Sequence, residues 1–196
     1  MTDKHLFESL LSSEHLFKGR LLDARRDTVK LPNGQPAVRE YIVHPGAVMI
    51  VPILRQSVSR WDVVMERQYR YPIGQVMIEF PAGKRDPGED VLACARRELM
   101  EETGYRARQW ARAGLLHPVI AYSTEAIDVW FARDLSLGER QLDSGEFIDV
   151  FEASSNDLLD WCRDGIVTDA KTLTAALWIR MVVSGQWHLD WQSLPD

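Results

Sequence analysis

The segment Gly83–Tyr105 reads GKRDPGEDVLACARRELMEETGY, and three of its four glutamates fall within the five residues Glu98–Glu102. On a helix, at about 100° per residue, Glu102 lies roughly 40° to one side of Glu98 and Glu101 roughly 60° to the other. The three carboxylates share one face, and like charges that close destabilise a helix unless something positive lies against them. Hard divalent cations take oxygen ligands, and Mg²⁺ in particular is held by a few carboxylates, waters and substrate phosphates. Glu98 and Glu102, one turn apart, are placed to share one or two such ions. Two ions about 4 Å apart clamp a phosphate and activate a water. On the residues alone the alternative is a solvated acidic face, paired with Arg97 one turn before Glu101 and with nearby basic side chains.

Such a face needs an element to hold it. Leu92, Ala95 and Leu99 form an apolar stripe that predicts an amphipathic helix over 89–103, with Pro87-Gly88 before it and Gly104 after it. Upstream, residues 19–44 read as a hairpin about Asn33-Gly34, a strong turn signal. Strands are expected at 47–54, 61–69 and 75–80, and again at 114–120, 127–133 and 146–153. Two helices close the chain, 155–165 with Ser155 as its cap and 168–185. Strands, one internal helix, more strands and then helices predict an α+β fold, a mixed sheet with helices on its faces. Residues 1–44 read as an N-terminal hairpin module and 45–196 as the main domain.

Composition narrows the chemistry. With 45% apolar and 27% charged residues, the chain has the make-up of a globular protein. A net charge of −6 gives no reason to expect nucleic acid or an anionic membrane as partner. It also requires a cation between the protein and any polyanionic substrate. The two cysteines, Cys94 and Cys162, are too few for a disulfide framework and fit core positions in a reducing compartment. No His/Cys spacing suits zinc. The longest apolar run, near 46–54, is too short to span a bilayer, and the N-terminus lacks a signal-peptide core. A cytoplasmic protein is expected.

The wider spacing carries more. Gly83, five residues, Glu89, seven residues, Arg97-Glu98-Leu99, one residue, Glu101-Glu102, one residue, Gly104, Tyr105 resembles the Nudix box at every defined position, with an aromatic in the last apolar place. The resemblance implies a Nudix fold, an α/β/α sandwich with a loop–helix–loop box. It implies Mg²⁺- or Mn²⁺-dependent hydrolysis of a nucleoside diphosphate linked to another group. It would make Glu98 and Glu102 metal ligands, with the Ala82 carbonyl as a further ligand and Glu101 a ligand or support. Arg97 would orient the glutamates and Glu89 would brace the loop. Gly83 and Gly104 would permit tight backbone turns.

HPGAVMIVPIL, MERQYRYPIGQVMIEFPAGK and DAKTLTAALW are similar to the ADP-ribose pyrophosphatase branch of that family, over roughly residues 19–185. That likeness implies a homodimer in which the hairpin module helps form the partner's substrate site. Arg39 would reach substrate across the dimer, Arg70 would contact the phosphates, and Glu79 and Ser123 would line the site. Glu146, in LDSGEFIDV beside Gly145, would be the loop acid that meets the metals or activates water. Some relatives carry a second acid two positions earlier, where this chain has Ser144; Asp143 is the nearest substitute. The branch's Ser-Pro-Gly stretch is here PVIAYSTE, with Ile120-Ala121 in place of Pro-Gly. The expected reaction is ADP-ribose to AMP and ribose 5-phosphate, with hydrolysis of GDP-mannose or another nucleotide sugar as the runner-up and a non-catalytic nucleotide sensor as the other class. Trp130, Trp161, Trp178, Trp187 and Trp191 read as packing residues, and Phe17 as a candidate for base stacking.

Overall fold

The computed structural model describes residues 3–194, which form two compact units. The first holds the described residues up to Gly46 together with His117–Ala126. Its sheet has three antiparallel strands in the order β1 (Ser9–Lys18), β2 (Asp23–Lys30) and β3 (Pro36–Val43). The β2–β3 turn forms as its sequence predicts. Gly34 takes φ 88°, and the Asn33 side chain accepts from the Gln35 amide at 3.0 Å. Strand β1 was not expected. SLLSSEHLFK has no sustained period-2 pattern and every one of its residues is exposed, so its pairing to β2 rests on backbone hydrogen bonds rather than on a buried face. Residues 117–126 return along β3, where Ile42 bonds Tyr122 and Thr124 through the backbone at 2.9 Å each. The strand expected at 114–120 instead runs from Tyr105 to Leu116, and the Tyr122 amide closes a turn onto the Val119 carbonyl at 3.2 Å.

The second unit is a mixed sheet with helices on both faces. Its strands are β4 (Ala47–Gln56), β5 (Trp61–Arg70), β6 (Gln75–Glu79), β7 (Ala82–Lys84), β8 (Tyr105–Leu116), β9 (Ile127–Leu137), β10 (Ile148–Ser154) and β11 (Gln192–Ser193). The order is β10-β5-β4-β9-β8-β11, with β6 on β5 and β7 on β4; β4 and β9 are parallel and the other pairs antiparallel. Helix α1 (Val91–Thr103) covers one face. Helices α2 (Ser155–Arg163) and α3 (Ala170–Val183) cover the other.

Strand β4 shows why its sequence lacks a polar face. Met49, Val51 and Ile53 pack with Leu158, Ala175 and Ile179 of α2 and α3, while Val48 and Ile50 pack with Cys94, Ala95 and Leu99 of α1. A strand buried on both sides reads as a continuous apolar run. The cap of α2 is Ser154, whose hydroxyl accepts from the Asp157 amide; Ser155, the expected cap, instead accepts from the Trp61 amide at 3.1 Å. Within the described residues no helix is long and apolar enough to cross a membrane.

Candidate active site

Helix α1 is held at both ends. The Asp90 carboxylate caps the Ala93 amide at 3.2 Å, and Gly104, at φ 77°, closes the last turn onto the Met100 carbonyl. Leu99 and Ala95 anchor one edge in the core. Leu92 is only half-buried and Cys94 is fully buried, so the stripe sits slightly around the helix from its expected line.

The positive group against the acidic edge is Arg97. Its Nε and Nη2 make a two-pronged bond to Glu89 at 2.9 Å each. Its Nη1 reaches Glu98 at 2.8 Å and Glu101 at 2.9 Å, and Nη2 also reaches the Lys84 carbonyl at 3.2 Å. One guanidinium thus serves three carboxylates, a task for a planar donor with five N–H groups. Glu89 additionally accepts from the Asp86 amide at 3.0 Å, so it ties the loop before α1 to the helix. These bonds, Arg97's first, hold the Glu89 carboxyl down at about 2.

Gly83 explains itself by what a side chain would meet. A Cβ there would fall within the Glu98 carboxylate. Glu102 is almost fully buried and accepts from the Ala82 amide at 2.9 Å. Residues 82–83 therefore meet two of the three helix glutamates. Glu146 lies in the loop before β10, after Gly145 at φ 98°, and its charge is felt by both Glu98 and Glu102.

One further acid, buried near Glu102, has no counterpart among the sequence expectations. Glu66, on β5, is fully buried, and among the described residues neither of its oxygens has a hydrogen-bond partner. It stands opposite Glu79 in the β5–β6 register. The sequence carries one signal for it, a glutamate directly after the apolar run Val63-Val64-Met65 in a strand. Burial pushes both Glu66 and Glu102 upward, and Glu102 also feels the charges of Glu66 and Glu98. Burial likewise lifts Glu98 to about 7, against Arg97's opposing pull.

Arg70 and Glu79, expected to contact different parts of a substrate, are bound to each other at 2.7 and 2.9 Å. Lys171 also bonds Glu79, and reaches Asp169 at 3.0 Å. Burial opposes ionisation of Glu79, but the two cations outweigh it and hold its carboxyl below the ordinary range. Arg39 and Ser123 belong to the other compact unit. There Arg39 forks onto Glu8, with one bond at 3.0 Å, and the Ser123 hydroxyl accepts from the Glu125 amide at 3.1 Å.

The donor set suits a hard cation: several oxygens, no sulfur or imidazole, and a buried carboxylate with nothing to balance it. Among the described residues no three acids already converge on one point. Glu98 and Glu101 accept from Arg97, and Glu102 accepts from the Ala82 amide.

A match to the NUDIX domain covers residues 43–174, and one to the nucleoside diphosphate sugar hydrolase N-terminal domain covers residues 8–42. The chain belongs to the Nudix family. Nudix hydrolases generally need a divalent cation. The Nudix chain is 34% identical to an ADP-ribose pyrophosphatase of Bacillus subtilis, over 91% of this chain and 95% of that protein. It is 35% identical to a methanol dehydrogenase activator of Bacillus methanolicus, over 89% and 93%. A solved ADP compounds hydrolase superposes with a TM-score of 0.80 at 26% identity, covering 91% of this chain and 95% of that one.

The cation-free protein should show an inverted pH response from this cluster. Glu98, lifted to about 7, contributes stability that is complete below its unfolded value, near 4.3, and is lost as pH rises through about 7; Glu66 and Glu102 act in the same sense. Glu89, held at about 2, contributes stability present above that unfolded value and lost as pH falls through 2. Thermal melts in chelator should therefore lose midpoint temperature between pH 5 and about 8. Saturating Mn²⁺ should flatten that loss. A chelated midpoint that climbs across this window would contradict the assignment.

Proposed function

We propose that this Nudix enzyme hydrolyses the diphosphate bond of a nucleoside diphosphate sugar, with ADP-ribose as substrate and AMP and ribose 5-phosphate as products. The observation that carries the reading is the carboxylate edge of α1, facing Ala82 and Gly83 and joined to a chain whose N-terminal segment matches that of nucleoside diphosphate sugar hydrolases. The relatives named for ADP-ribose and ADP compounds support the adenine nucleotide.

Glu98 and Glu102, with the Ala82 carbonyl and Glu101 in support, would hold Mg²⁺ or Mn²⁺. When bound, the cation offsets diphosphate charge and acidifies a water. Glu146 takes the proton of the attacking water, from a loop that Gly145 lets turn. Arg97 keeps the box glutamates in register. Arg70 turns to the phosphates, and Lys171 keeps Glu79 paired when it does. Positioning and charge stabilisation supply most of the acceleration.

The finer assignments belong to the same proposal. A homodimer is supported by β1, which exposes Leu10, Leu11, Leu16 and Phe17. Across it Arg39 would leave Glu8 for the partner's substrate. Gly83 would line the site beside Glu98, the net charge of −6 gives no reason to expect nucleic acid, and a cytoplasmic setting suits two free cysteines.

A panel of ADP-ribose, GDP-mannose and related nucleotide sugars, each with Mg²⁺ or Mn²⁺, tests this. ADP-ribose should have the highest kcat/KM and release AMP. GDP-mannose is the second reading, because Ile120-Ala121 stands where the ADP-ribose branch has Pro-Gly, and a reversed preference would select it. Binding without turnover of any member would indicate a sensor.

A further inference from the structure

The β5 strand places a fourth carboxylate in the interior beside the box helix. Glu66 has no accessible surface, and neither oxygen meets a donor. An ionised carboxylate removed from water without a partner is costly, and protein interiors accept one when it is paired or faces a metal. The nearby cations do not serve it. Arg70 and Lys171, which lie close enough for their charges to be felt, spend their bonds on Glu79. Arg140 spends Nη2 on the Ile148 carbonyl at 2.7 Å.

The backbone sets the direction. Glu66 faces Glu79 across the β5–β6 pair, and three residues after Glu79 the Ala82 amide holds Glu102. Glu102 in turn has Glu66 as its strongest charged neighbour. Among the described residues no donor serves this acid, and its charge is felt by the helix carboxylate Glu102.

We propose that Glu66 is part of the divalent-cation site, an oxygen donor contributed by β5 to the group that Glu98 and Glu102 build on α1. The inference rests on the cation-dependent reading of the Nudix box. It extends that site to a strand residue outside the box.

The experiment is Mn²⁺ binding, measured by titration calorimetry or electron paramagnetic resonance without substrate, on the parent, Glu66→Gln, Glu66→Asp and Glu102→Gln. Glu66→Gln keeps the volume and removes the charge. It should weaken Mn²⁺ binding by about tenfold or more and shrink the rise in melting temperature that Mn²⁺ gives the parent. Glu66→Asp, which keeps the charge, should bind Mn²⁺ with an affinity between those of Glu66→Gln and the parent and, if Glu66→Gln does not fold, carries the test. Affinity of the folded variant within twofold of the parent, while Glu102→Gln loses it, would overturn this inference and leave the box reading intact. A parent that takes up no Mn²⁺ would overturn both.

Discussion

Glu102→Gln should lower kcat/KM by about a thousandfold, because on the proposed reading it removes a ligand from a cation that stabilises charge in the transition state by several kcal/mol. The fold should survive, since the Gln carbonyl still accepts from the Ala82 amide that Glu102 holds at 2.9 Å. Stability in chelator should rise at alkaline pH. There the native carboxylate ionises inside a cluster with Glu66 and Glu98, and the amide has no charge to bury. Loss of activity together with a gain in cation-free stability separates a functional acid from a structural one. Steady-state kinetics on ADP-ribose and chelated melts measure the two halves. Near-parent turnover would remove Glu102 from the ligand set.

Arg97→Met should be damaging for a different reason. The substitution retains much of the stem and removes the cation that Glu89, Glu98 and Glu101 share. Three acids would be left facing one another, and the loop that Glu89 ties to α1 would lose its anchor. Stranding buried charges costs several kcal/mol; with Arg97 about 29% exposed, a loss of about 3 kcal/mol is expected. Activity should fall even where the protein stays folded, because Glu98 and Glu101 lose their register. Lysine should rescue neither, since an ammonium cannot fork onto Glu89 while reaching Glu98 and Glu101. Denaturant melts and kinetics on both variants check this, and full rescue by lysine would reduce Arg97 to a point charge.

The central strands and the three helices were legible because burial writes itself into periodicity, whereas β7, β11 and the first half of β8 were not. The run AVMIVPIL has no polar face because β4 is covered on both sides, and the stripe of α1 is apolar because it faces the sheet. The box was legible because its glycines and glutamates must occur at fixed intervals along one loop and one helix. The capping error at Ser155 and the missed strand β1 have a common cause. Both depend on which backbone group meets which partner far along the chain, and neighbouring serines or an exposed strand carry no pattern that decides it.

The sequence alone determined the Nudix box, the acidic helix face and the layered α+β arrangement, since each depends on spacings within one element. Only the tertiary structure decided that Arg97 serves three acids at once, that Arg70 and Glu79 hold each other, and that Glu66 is buried beside Glu102 without a partner. Those facts depend on how strands and a helix distant in the chain are brought together, and the free energy of a charge depends on the neighbours and the water it has in the folded chain.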